Sequence, residues 1–238
     1  MKLAQVLFPF LALLPTSSYG AEKILWDSWY TVTVGGKTHY GYYNDKVTKD
    51  SGKIRFQNQF WKQEEGYVNE EQLGAISEDN GDFSPVFFSF RSNYRAAETV
   101  IDGNVSGNIL TVKARKAKAE LPAVRKVLPS KAILSIFFPV FAAKKIAAMK
   151  IGDSASFLAV LEDNLTLAYQ AVDGKMHIEK PDAFAMKSKT AKVSVTYADR
   201  KSIWYLEPSG NAVRIEMPSQ NTVVERVPQS QVKNFLGE

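Results

Sequence analysis

The chain has 238 residues, with 30 Lys and Arg against 25 Asp and Glu, two histidines and no cysteine. This excludes disulfides, a thiol nucleophile, zinc–thiolate sites and lipid attachment through a cysteine, and the length suits one large β domain. The net charge of +5 is uneven, because residues 103–150 carry 10 basic side chains against 1 acidic one while residues 21–102 carry 9 against 13.

In chain order, MKLAQVLFPFLALLPTSSYG places Lys2 ahead of an apolar core from Leu7 to Leu14, then small and polar residues ending at Gly20. That order is the one a secretory signal peptide shows, with a cut before Ala21, and the apolar run is too short to span a bilayer. The expectation is an exported periplasmic protein of a Gram-negative bacterium, not a lipoprotein, with residues 21–238 as a single β-rich domain.

From Trp26 to Val34 the chain alternates, Tyr30, Val32 and Val34 on one face and Trp29, Thr31 and Thr33 on the other. Gly35-Gly36 predicts a tight hairpin, answered by a return strand on which Thr38, Tyr40 and Tyr42 share a face. Asp50-Ser51-Gly52 is a turn before KIRFQNQFW, where Ile54, Phe56 and Phe60 alternate with Lys53, Arg55, Gln57 and Gln59. Tyr67 to Glu78 is extended, and Asn80-Gly81-Asp82 turns it. PVFFSFRSNYR is a strand that continues through AAETVI to a turn at Asp102-Gly103-Asn104, and ILTVKARKAK is the next strand. Pro122 and Pro129 then carry the chain out of the sheet.

Ser130 to Gly152 is the one long helix the spacing predicts. Ile136, Val140, Ala143 and Ala147 recur at three and four, Lys144, Lys145 and Lys150 favour its C-terminal end, and Pro139 limits where it starts. Strands resume with SFLAVLE, LTLAY and VSVTY, with a turn at Asp173-Gly174. SIWYLEPSGNAVRIEMP is a hairpin around Pro208-Ser209-Gly210 with Val213, Ile215 and Met217 facing in. VVERVP closes the sheet, and SQVKNFL is a short final helix. The fold class is mainly β with one long helix, a curved antiparallel sheet or half-barrel packed around that helix.

Aromatic residues make up 12% of the chain. A partly open half-barrel with an apolar interior would account for them, and so would a fully packed core. Composition leaves both open.

DSWYTVTVGGKTHYGYY, SPVFFSFRSNYR and IWYLEPSGNAVRIEMPSQNTVVERVP together resemble an exported β-rich domain that precedes transglutaminase-like domains in bacteria. The pattern departs at His39-Tyr40, before Gly41. The resemblance implies a half-barrel like those of periplasmic lipoprotein carriers, with an apolar groove beneath the helix. It implies no catalysis, because the chain has no cysteine for a transglutaminase nucleophile.

Phosphate-loop, nucleophile-elbow and metalloprotease motifs are absent from the sequence, as is any nucleic-acid-binding motif. His39 and His177 stand apart, Glu64-Glu65 and Glu70-Glu71 read as solvated charges, and Asp79 to Asp82 reads as a turn rather than a calcium loop. The expectation is therefore a non-catalytic binder or carrier of an apolar or lipid-like ligand, with no metal and no cofactor. Phe88, Phe90, Phe137, Phe141, Phe157 and Leu161 are the candidate groove residues. Lys113, Arg115, Lys116, Lys118, Lys144 and Lys145 are the candidates for contact with an anionic membrane. The alternative is a β scaffold without a cavity that binds a cell-envelope protein.

Overall fold

The computed structural model describes residues 22–232 apart from 37, 65, 96 and 164–170. The signal peptide at residues 1–20 and the strand expected at Leu165, Leu167 and Tyr169 lie outside the described residues.

Seven strands run as an antiparallel meander: β1 (Lys23–Val34), β2 (Thr38–Asp50), β3 (Lys53–Glu64), β4 (Tyr67–Glu78), β5 (Pro85–Tyr94), β6 (Ala97–Ser106) and β7 (Ile109–Lys116). Two short strands, β8 (Ala119–Glu120) and β9 (Val124–Val127), share the free edge of β7. The chain then crosses to the far edge of the same sheet, where β10 (Ala132–Leu134) pairs in parallel with β11 (Ser154–Val160). From there β12 (Ala171–Ile178), β13 (Ala191–Tyr197), β14 (Arg200–Leu206), β15 (Ala212–Met217) and β16 (Thr222–Val227) step back until β16 pairs with β1.

Among the described residues, all sixteen strands belong to one open sheet. Laid flat, its fifteen-strand path would be roughly 65–70 Å wide at ~4.8 Å per strand. The connection at 128–131 runs from β9 to β10, and the five Cα steps it allows reach no more than ~18 Å. The sheet must therefore curl until its two edges approach each other, and β10 does pack against β4 and β5 inside the curl.

The expected half-barrel around one long central helix is overturned. Within Ser130 to Gly152 the helix α1 is only Phe138–Ile146, nine residues, preceded by a 3-10 turn at Ser135–Phe137, and Ala132–Leu134 is strand. Pro139 lacks an N–H and sits in the first turn of α1, where none is needed. Ala147 to Gly152 is two turns joined by irregular chain, and Gly152 has φ +93°. ILSIFFPVFAA is apolar almost throughout, so its spacing cannot separate a strand buried on both faces from a helix. Two further short helices, α2 (Ala183–Ser188) and α3 (Gln229–Val232), complete the described residues.

Three local expectations also change. The strand at Pro85 does not run on to Asn104, since the chain turns at Arg95 (φ +48°) and pairs back. Gly103 and Gly174 lie inside β6 and β12, not in turns. Each sits opposite an aromatic residue, and a Cβ on Gly103 or Gly174 would fall within the ring of Phe88 or Phe157. Finally, a bulge in β2 at Tyr40, the extra residue where Val32 pairs with Gly41 and Thr33 with His39, breaks the shared face of β2. Tyr40 packs on the core while Tyr42 stacks on Trp61, ring centroids 4.9 Å apart.

Candidate functional site

The register builds three side-chain rows across the inner face. One row is apolar throughout: Trp26, Val47, Phe56, Ala75, Phe88, Gly103 and Val112. The next row ends in Leu73, Phe90 and Ile101 but begins with Ser28, Asp45 and Asn58. The third carries Tyr30, Tyr43, Phe60 and Glu71. Asp45 and Asn58 thus occupy positions where the neighbouring strands place leucine and phenylalanine.

Over these rows lies a cavity of about 260 Å³. One wall is the sheet, with Trp26, Tyr30, Tyr43, Asp45, Phe56 and Asn58. The opposite wall is the helical segment, with Ser135, Ile136, Phe138 and Pro139, and the remaining side is Val195, Tyr197, Trp204, Gly210, Ala212 and Ile215. Gly210 (φ +94°) lets the β14–β15 turn meet α1, since a Cβ there would stand 2.6 Å from the Pro139 carbonyl oxygen. Seven aromatic side chains thus border a space whose polar groups are few and localised.

Several of these polar groups have an identifiable partner. Tyr30 Oη donates to Asn211 Oδ1 at 2.7 Å, and Asn211 Nδ2 donates to Ser28 Oγ at 3.0 Å. Asn58 Nδ2 donates to Asp45 Oδ1 at 2.6 Å. Across the cavity Ser135 Oγ donates to Glu162 Oε2 at 2.6 Å, and the Ile136 N–H donates to Glu162 Oε1 at 3.2 Å, so this carboxylate fixes the start of the helical segment.

Burial dominates the titration of these groups. It pushes Asp45 up from 3.8 to about 7, against the opposing hydrogen bond from Asn58, and Glu162 from 4.5 to about 7, against the bond from Ser135. Burial also raises Tyr43, and it raises Tyr197 to about 12, so both phenols stay neutral near pH 7. Asp45 on the cavity wall and Glu162, which holds the lining residue Ser135, are thus both raised toward neutrality.

None of the six expected groove residues lines this cavity. Phe88 and Phe137 are fully buried in the core, Phe141 and Phe157 pack on one another at 5.7 Å, Phe90 is half-buried in its row, and Leu161 is half-buried after β11. They support the walls, and the lining comes from residues beside them. One signal in the sequence marks it: Asn58 interrupts the inward apolar alternation of Phe56 and Phe60, as Asp45 interrupts that of Tyr43 and Val47.

Among the basic candidates, Lys113, Lys116 and Lys118 are exposed on or just after β7, and Arg115 is paired with Glu98 at 2.6 Å. On α1, Lys144 Nζ donates to the Gly81 carbonyl at 3.0 Å and lies over Phe83, while Lys145 lies over Phe141. Glu70 accepts from Gln59 and Gln72, and Glu71 pairs with Lys62, so neither forms an acid pair with the other. Among the described residues no cluster of His, Asp or Glu could hold a metal ion, and no helix is long and apolar enough to cross a membrane.

No protein-family model matches the chain, and no curated protein is similar to it. Among solved structures it is similar to a DUF1089-family protein from Pseudomonas aeruginosa, at 13% identity, over 91% of this chain and 98% of that one, with a TM-score of 0.41. A TM-score that low assigns neither fold nor function.

Proposed function

We propose that the protein is a non-catalytic binding or carrier protein of the cell envelope for a small ligand with an apolar body. The observation that carries this reading is the cavity between the β1–β3 wall and Phe138, walled by seven aromatic side chains. Ligand pockets for drug-sized molecules run ~300–1,000 Å³, so about 260 Å³ suits one small molecule or the end of one chain and not a whole lipid. The hydroxyl–carboxylate pair at its rim, Ser135 with Glu162, is committed to holding the helical segment, which favours binding over catalysis. The signal-peptide pattern of residues 1–20 and the resemblance to exported carrier-like domains favour a periplasmic location.

The test is mass-spectrometric analysis of an organic extract of the purified mature protein, beside Ile215→Trp, which fills the cavity. A small molecule enriched in the wild-type extract and absent from the variant supports the reading. Identical, empty extracts from both proteins, unchanged after incubation with a cell-envelope extract, overturn it and leave the scaffold for an envelope protein as the better account.

A further inference from the structure

The cavity's chemistry narrows what it can hold, an inference that rests on reading it as a ligand site. The whole chain is basic, with a net charge of +5, but the cavity's surroundings are not. Six charged side chains act on the tyrosines at its walls, and four of them are acidic: Asp45, Glu162, Asp163 and Glu207, against Arg200 and Arg226. Arg226 is held by both oxygens of Glu207, at 2.6 and 2.9 Å. Glu162 is turned onto Ser135 and the Ile136 N–H. What remains directed at the cavity is Asp45, whose one hydrogen-bond donor among the described residues is the uncharged Asn58 and which forms no ion pair among them.

A carboxylate kept between Ser28 and Asn58, without a cation, costs folding stability, and the same row turns apolar from Leu73 and Phe90 onward. A calcium or magnesium ion is a poor fit for that partner, because the cavity offers one carboxylate, one amide and the separate hydroxyls of Tyr30, Tyr43, Tyr197 and Ser135, and no metal-holding group of His, Asp and Glu stands among the described residues. Aromatic rings and a single carboxylate form the environment that binds an organic ammonium, through charge to the carboxylate and through the ring quadrupoles to the surrounding alkyl groups.

We propose that the ligand is an organic cation, an amine or quaternary ammonium whose charged head sits between Asp45 and Tyr43 and whose hydrocarbon reaches toward Phe138 and Trp204. Trp26 and Trp204 line the cavity, so tryptophan fluorescence reports its occupation directly.

The test titrates the wild-type mature protein with choline and with 3,3-dimethylbutan-1-ol, the neutral carbon isostere of choline, in an amine-free buffer at pH 8. Choline is expected to bind about tenfold or more tightly than the isostere, as a desolvated cation–π site with a carboxylate should discriminate. Asp45→Asn should abolish that ratio, and Trp204→Ala should weaken both ligands. Equal binding of the two probes overturns the cationic ligand while leaving a binding cavity in place. If neither probe binds but the extract contains a neutral apolar molecule, the cation assignment alone fails; if neither binds and the extract is empty, both readings fail together.

Discussion

On the proposed reading, Asp45 is where folding and binding pull against each other. Its carboxyl rises from 3.8 to about 7 because burial among the aromatic side chains of the cavity disfavours its charge, and only Asn58 offsets that burial. The folded state therefore holds this proton more tightly than the unfolded chain, and its contribution to stability, complete below about pH 4, is lost as the pH rises through 7. Asp45→Asn should be more stable than wild type at pH 8 by about 2–4 kcal/mol, with the gain fading toward pH 4. Urea unfolding at both pH values checks this, and Glu162 leaves a smaller slope of the same sign in the variant. Gly103 makes a second case. An added methyl group would enter the ring of Phe88, so Gly103→Ala should cost about 1–3 kcal/mol by overpacking. A neutral or stabilising result in urea would show that the ring moves aside freely. The role of Gly103 is not visible in the letters alone: Asp-Gly-Asn reads as a turn, and only the register with Phe88 shows that this glycine is there for lack of a side chain.

At the scale of the element, the segment from Ser130 to Gly152 separates what a pattern shows from what it cannot. Its burial was legible in part: of the stripe that the spacing marks, Val140 is buried with Phe137 and Phe141 beside it, Ile136 and Ala143 are half-buried, and Ala147 is exposed. Its conformation was not, because three successive geometries, strand, 3-10 turn and helix, all face apolar surroundings and leave no period to tell them apart. The hairpins at Gly35-Gly36 and at Pro208 to Gly210, by contrast, were legible from residues that favour tight turns. The second of these turns supports the cavity. Gly210→Ala would force a side chain into the Pro139 carbonyl at a positive φ and displace the helical wall. It is expected to lower the melting temperature and to weaken ligand binding together. Unchanged binding in a folded Gly210→Ala protein would show that the helical segment is not a wall the ligand needs.

At the scale of the whole molecule, most of the long amphipathic strands were readable, β12 and the short β8, β9 and β10 were not, and neither was the order of the strands in the sheet. No local pattern says that β16 will pair with β1 or that β9 and β10 will stand at opposite edges, since these are long-range pairings that only a completed sheet satisfies. The same closure separates the charges, gathering acidic groups near the inner tyrosines and leaving Lys113, Lys116 and Lys118 exposed. If the outer basic residues bring the carrier to membranes, Lys144→Glu with Lys145→Glu should weaken binding to anionic vesicles at low salt, and the difference should shrink as salt screens it. Unaltered vesicle sedimentation would remove the docking role without touching the cavity. The cavity itself is tested most directly by a native mass spectrum of the intact mature protein. A ligand site gives one small-molecule adduct per chain that Ile215→Trp abolishes. A bare protein mass that stays bare after exposure to a cell-envelope extract contradicts it.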